Sequence, residues 1–146
     1  MRKSKPIVWL LLIVYIVVLF KVTFFNVPLE QIKSSIMNAS LGDIGNNLKL
    51  ANFMPLKTIG IYTEMLFKPA MKFLGLNILW FIPLGYFIPS MTKHKNFKQV
   101  MILGILFVLL LEVLSLIVSL GRFDIDELLL ASFGVLLGYM CYKTAK

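Results

Sequence analysis

One cysteine, Cys141, and one histidine, His94, stand in 146 residues. A lone cysteine excludes an internal disulfide framework, and the two together fall short of the four ligands of a structural zinc site. Neither a metal nor a cofactor is expected. Acids are scarce, seven Asp and Glu against fifteen Lys and Arg. The sequence has no glycine-rich phosphate loop of the GxxxxGK type, no internal repeat and no low-complexity tract, which sets aside P-loop nucleotide enzymes and repeat architectures.

What the chain has in quantity is apolar. Hydrophobic residues make up 59% of it and mean hydropathy is +0.87, well above soluble domains. It reads as a membrane protein. Four segments approach the roughly 20 apolar residues that cross a bilayer. They run over about 6–25, 73–91, 100–120 and 128–142. The first follows "MRKSK" and resembles a secretory signal, but no small-x-small cleavage site follows it, so it is expected to stay as an anchor. Pro83 and Pro89 interrupt the second, where proline removes backbone hydrogen bonds and kinks a helix. Tyr86, Tyr139 and Tyr142 fit interfacial aromatic belts.

Charge sets the orientation, because short cytoplasmic loops collect Lys and Arg. With the N-terminus inside, "RKSK", "TKHKNFKQ" and "KTAK" hold eight basic residues and no acid, while the opposite side holds six of each. Only Lys21 and Glu112 fall within spans. The expectation is an all-α membrane protein, one domain over 1–146, with four transmembrane helices and both termini cytoplasmic. The net charge of +8 then expresses topology. Nucleic-acid binding would place the basic residues on one solvated domain.

The outer loop, 26–72, places Leu29, Ile32, Ile36 and Met37 at helical spacing and predicts an interfacial amphipathic helix. Its later part, rich in both charge and apolar residues, is expected to lie on the membrane or re-enter it shallowly. "NAS" at Asn38 is a glycosylation triplet of the sort that arises by chance. His94 belongs to a solvated basic loop.

Polar residues inside the spans carry the most information. A carboxylate in a membrane helix costs a few kcal/mol on insertion scales, so it marks a site until a partner is found. Glu112, Ser115, Ser119 and Arg122, spaced i, i+3, i+7 and i+10, form one stripe that climbs to the outer surface. Asn77 of the second segment is placed to face it. In the last segment Ala131, Gly134 and Gly138 share a small-residue face suited to close helix approach, with the third segment the obvious neighbour.

Between the third and fourth segments stands "GRFDIDE". Arg122 ends one helix, and Asp124, Asp126 and Glu127 precede or open the next, where acids cap free N–H groups and meet the positive end of the helix dipole. A cap needs one acid. The other charges form either an ion-paired clasp or a site for a polar group.

These motifs resemble the VanZ-like family of small bacterial membrane proteins. The similarity lies in "NFMPLKTI", "NILWFIPLGYFIP", Glu112, and "RFDIDELLLASFGVLLGY". The matching positions are Asn52, Pro55, Asn77, Phe81, Pro83, Gly85, Glu112, Arg122, Phe123, Asp124, Asp126, Gly134, Gly138 and Tyr139. The chain departs from the family pattern at Glu127, where a second Asp is common, and at Ala131 and Ser115, where amides are usual. The resemblance implies a bacterial cell-membrane protein associated with low-level resistance to teicoplanin, a lipid-tailed glycopeptide antibiotic, without a defined reaction. Three functional expectations follow. The first is a non-catalytic envelope protein whose outward polar site, made of Glu112, Arg122, Asp124, Asp126, Glu127, Asn77, Ser115 and Ser119, meets membrane lipid, a lipid-linked wall precursor or the drug. The second is a membrane-embedded enzyme with Glu112 or Asp126 as acid or base. The third is a small oligomeric transporter with Glu112 as its proton-coupled carboxylate.

Overall fold

The computed structural model describes residues 5–24, 28–37, 41–64, 67–93, 95–118 and 122–145. Ser119, His94 and Asn38 lie outside them. The described elements are helices, in order α1 (Lys5–Phe24), α2 (Leu29–Met37), α3 (Leu41–Lys49), α4 (Lys57–Glu64), α5 (Phe67–Leu79), α6 (Ile82–Met91), α7 (Phe97–Ile117) and α8 (Ile125–Thr144). Among the described residues, four stretches are long and apolar enough to cross a membrane: Pro6–Thr23, Pro69–Met91, Phe97–Ile117 and Ile125–Thr144.

The second stretch is two helices. Instead of kinking within a continuous helix at Pro83, the chain breaks one step earlier. The Phe81 N–H turns back to the Ile78 carbonyl at 3.1 Å, and Pro83 sits in the first turn of α6. That placement is favourable, since a first-turn residue has no intrahelical acceptor for an N–H and proline supplies the helical φ. α5 also begins at Phe67, ahead of the expected 73, and α8 begins at Ile125 rather than 128. Asp126 and Glu127 therefore lie inside the first turn of α8.

α8 is the central helix. It packs against α5, α6 and α7, and its buried residues include Ala131, Gly134, Val135, Gly138, Tyr139 and Tyr142. The small face lies on the broken second stretch, not chiefly on the third as its sequence order suggested. A side-chain carbon at Gly134 would strike the Ile78 carbonyl oxygen, one at Gly138 the Ile82 oxygen, and one at Gly85 the Val135 oxygen. Backbone meets backbone at each point, which only glycine permits. α7 joins the contact through Gly104, which admits the Val135 side chain.

α1 is peripheral. Its span has a mean hydropathy of 2.5 against 1.4 for α8, yet Ile7, Trp9, Leu10, Ile13 and Val17 are exposed. In a bilayer this inversion is expected, because a lipid-facing helix must be apolar all round while an interior one can carry small and polar residues. Leu19 is its buried anchor, and the Tyr15 hydroxyl donates to the Trp80 carbonyl at 3.0 Å.

Two sequence expectations change here. Tyr139 and Tyr142 are buried core residues, not belt residues, and the Tyr139 hydroxyl donates to the Lys95 carbonyl at 3.2 Å. On α2, Ile32 is buried but Met37 is 74% exposed, so Met37 is not on the packed face.

Candidate functional site

The charged corner is a clasp on a second piece of chain. Residues 52–59 run alongside it: the Asn52 N–H donates to the Phe123 carbonyl at 2.8 Å and the Ile125 N–H to the Asn52 carbonyl at 3.0 Å, a single parallel bridge. Phe53 stacks on Phe123 with ring centroids 5.3 Å apart. Asp124 is the N-cap of α8, its Oδ1 accepting from the Asp126 N–H at 2.8 Å. The same oxygen accepts from the Asn52 amide at 2.9 Å, and Oδ2 accepts from the Thr58 hydroxyl at 2.6 Å. Asn52 also donates to the Thr58 hydroxyl at 3.0 Å, closing a three-residue ring.

Asp126 is fully buried. Its Oδ1 accepts from the Leu56 N–H at 2.6 Å, and Oδ2 from the Thr58 and Ile59 N–H groups at 2.7 and 3.1 Å. Those N–H groups lie just before and within the first turn of α4, where α-helical donors lack intrahelical partners. A carboxylate there caps them and meets the positive end of the α4 dipole, while Asp126's own position in the first turn of α8 adds a second. These donors are what make a buried acid tolerable. The donors to Asp124 and Asp126 are amides and a hydroxyl of 52–59 and the α8 backbone, rather than the Arg122 guanidinium expected for an ion-paired clasp. Leu56 is held at φ 66°, a left-handed conformation that costs a non-glycine residue about 1–2 kcal/mol. That conformation directs its N–H to Asp126.

Below the clasp lies a cavity of about 570 Å³ between α1, α5, α7 and α8, with Tyr62 of α4 at its edge. Glu112, Ser115, Arg122, Glu127 and Asn77 all line it. The remainder of the wall is largely apolar and aromatic, including Leu19, Leu76, Trp80, Phe81 and Leu111, and Lys72 adds a second cation. Glu112 and Glu127 come from different helices and stand within electrostatic reach of each other. Tyr62 stacks on Phe73 at 4.0 Å between centroids. The Asn77 amide donates to the Phe73 carbonyl of its own helix at 3.1 Å.

The structure thus divides the sequence-named residues into two groups. Glu112, Ser115, Arg122, Glu127 and Asn77 share the cavity wall. Asp124 and Asp126 do not line it, and their oxygens are engaged by the 52–59 stretch. Ser119 lies outside the described residues. Sequence reasoning about charge missed Asn52 and Thr58 as the partners of the acids, although the resemblance had marked Asn52 and Pro55. It also missed Tyr62, Lys72 and Trp80 on the cavity wall. Ala131, where the family pattern usually has an amide, is buried in the core. Among the described residues no cluster of His, Cys, Asp and Glu could hold a metal ion.

A family model described as VanZ/LLP1 matches residues 12–146. No curated protein and no solved structure matches the chain.

Proposed function

The chain belongs to the VanZ-like family of membrane proteins, and from that membership we propose that it acts in the bacterial cell envelope to lower sensitivity to teicoplanin-type lipoglycopeptides. Its means is a non-catalytic site facing outward, which meets an amphiphile: membrane lipid, lipid-linked wall precursor, or the lipid-tailed drug. The observation that carries this reading is the cavity. Part of its lining is apolar and aromatic, suited to a hydrocarbon chain. The same lining carries Glu112, Glu127, Arg122, Ser115 and Asn77, suited to a polar head. The orientation rests on the distribution of Lys and Arg.

The test compares teicoplanin and vancomycin sensitivity in cells carrying the wild type, Glu112→Gln or Arg122→Ala at matched membrane levels. Protection against teicoplanin in the wild type only, with vancomycin sensitivity unchanged throughout, supports the reading. Full protection from both variants overturns the role given to the cavity. A second reading, an enzyme acting on a lipid-linked substrate, draws on one observation, the Glu112 and Glu127 carboxyls in one cavity. It requires an altered lipid or precursor profile in a strain lacking the chain, and an unchanged profile removes it.

A further inference from the structure

α1 docks on α6 and α7, and α5 on α4, α6 and α8; the cavity lies between α1 and α5, lined by Val22 from one and Leu76 from the other. α1 is broadly exposed along its length, and Leu76 is partly exposed. In a bilayer the exposed residues of α1 and Leu76 meet lipid tails beside the cavity.

The polar groups narrow what enters there. Two carboxyls, Glu112 and Glu127, line the cavity within electrostatic reach of each other. A phosphate or other anion set against them would meet repulsion as they ionise, whereas a cation beside them favours their ionised form and is attracted more strongly there than in water. Aromatic rings around the same space, Trp80 and the stacked Tyr62 and Phe73, also favour a cation. The two basic residues, Lys72 and Arg122, are exposed and also line the cavity, which suits a phosphate. One molecule satisfies apolar lining, carboxyls and basic residues together: a lipid with a phosphate and a protonated amine.

We propose that the cavity binds an amine-bearing phospholipid admitted sideways between α1 and α5, its ammonium donating to Glu112 and Glu127, its phosphate at Arg122 and Lys72, and its chain along Leu19 and Leu76. The inference rests on the cavity being the ligand site and adds the class of ligand. A primary ammonium is preferred to a quaternary one because it brings N–H donors that carboxylates and the Ser115 hydroxyl accept. Two head groups share this chemistry, an ethanolamine ester and an aminoacylated glycerol.

The full-length chain is reconstituted in nanodiscs with equal amounts of phosphatidylethanolamine, lysyl-phosphatidylglycerol, phosphatidylcholine and phosphatidylglycerol, and retained lipid is measured by native mass spectrometry. The expected result is enrichment of one or both amine lipids over the other two by about tenfold, the ratio that corresponds to 1.4 kcal/mol. Which of the two is enriched identifies the head group. Glu112→Gln and Glu127→Gln are expected to bring the ratio towards one, and Arg122→Gln to lower retention of all four lipids while leaving the preference. Equal retention in the wild type overturns the proposal, as does a preference that both Gln variants keep. If a Gln variant does not fold, the wild-type ratio alone decides. Drug protection is scored separately: protection without lipid preference removes this inference and spares the proposed function, and preference without protection does the reverse.

Discussion

Asp126 illustrates how a residue conspicuous in the sequence takes its partners from a distant segment. Its charge between apolar runs marks it in the sequence, but its oxygens are filled by three N–H groups some seventy residues away in the chain. Asp126→Asn replaces one acceptor oxygen with a donor that must face N–H groups, and removes the charge that balances two helix ends. A loss of about 3 kcal/mol is expected, as for breaking a buried charged network. It is read as a lowered unfolding temperature in detergent with increased protease cleavage near 52–59; wild-type stability and cleavage would show that the clasp is dispensable. Leu56 supplies a companion test. Because its φ is 66°, Leu56→Gly should hold or raise stability, while Leu56→Val, branched at Cβ, should lower it by roughly 1–2 kcal/mol. The same unfolding measurement orders the three proteins, and Val equal to Gly would contradict the strained turn.

Among the helices, the small-residue face of α8 was legible and its neighbour was not. Gly134 and Gly138 four apart announce that something approaches closely. They cannot say what, because every neighbouring segment is apolar enough to cross a membrane. The break at Trp80–Phe81 decided it, by setting the carbonyls of Ile78 and Ile82 against those glycines. Gly138→Ala is therefore expected to separate α8 from α6 and to lower membrane yield and unfolding temperature sharply, since a backbone carbonyl cannot swing aside as a side chain can. Gly75→Ala, on α5 with open space around it, should be neutral or gain about 0.5–1 kcal/mol from helix propensity. Fluorescence-detected size exclusion after heating distinguishes them, and equal behaviour of the two would refute the close approach.

For the molecule as a whole, the charge distribution predicts both termini inside and the clasp outside. Cys141, exposed and the one cysteine of the chain, is a natural probe. An impermeant maleimide added to intact spheroplasts should leave Cys141 unlabelled and label a cysteine placed at exposed Lys49 in a Cys141→Ser background. The reverse pattern would invert the topology and with it the outward site. Cavity and clasp are related at this scale: Asp124 and Asp126 pin the start of α4, and Tyr62 further along α4 reaches the cavity edge. The acids thus hold the helix that carries one lining residue, while Glu112 and Glu127 line the cavity themselves.

By itself the sequence determined the membrane character, four crossing stretches and the Lys and Arg asymmetry, because each depends on composition. The stripe expected to run along one helix from Glu112 to Arg122 is cut short: α7 ends at Ile117 and Arg122 lies beyond it outside any helix, so Arg122 reaches the cavity from the stretch before α8. Only the tertiary structure decided which acids are spent and which line a cavity. Asp124 and Asp126 lie close to Glu127 in one short stretch of chain, at its N-terminal side, so no local pattern separates the three. What separates them is the arrival of 52–59, whose donors fill the first two, and of α1 and α5, which leave space beside the third. That outcome depends on contacts between distant segments, and spacing along a chain carries no record of them.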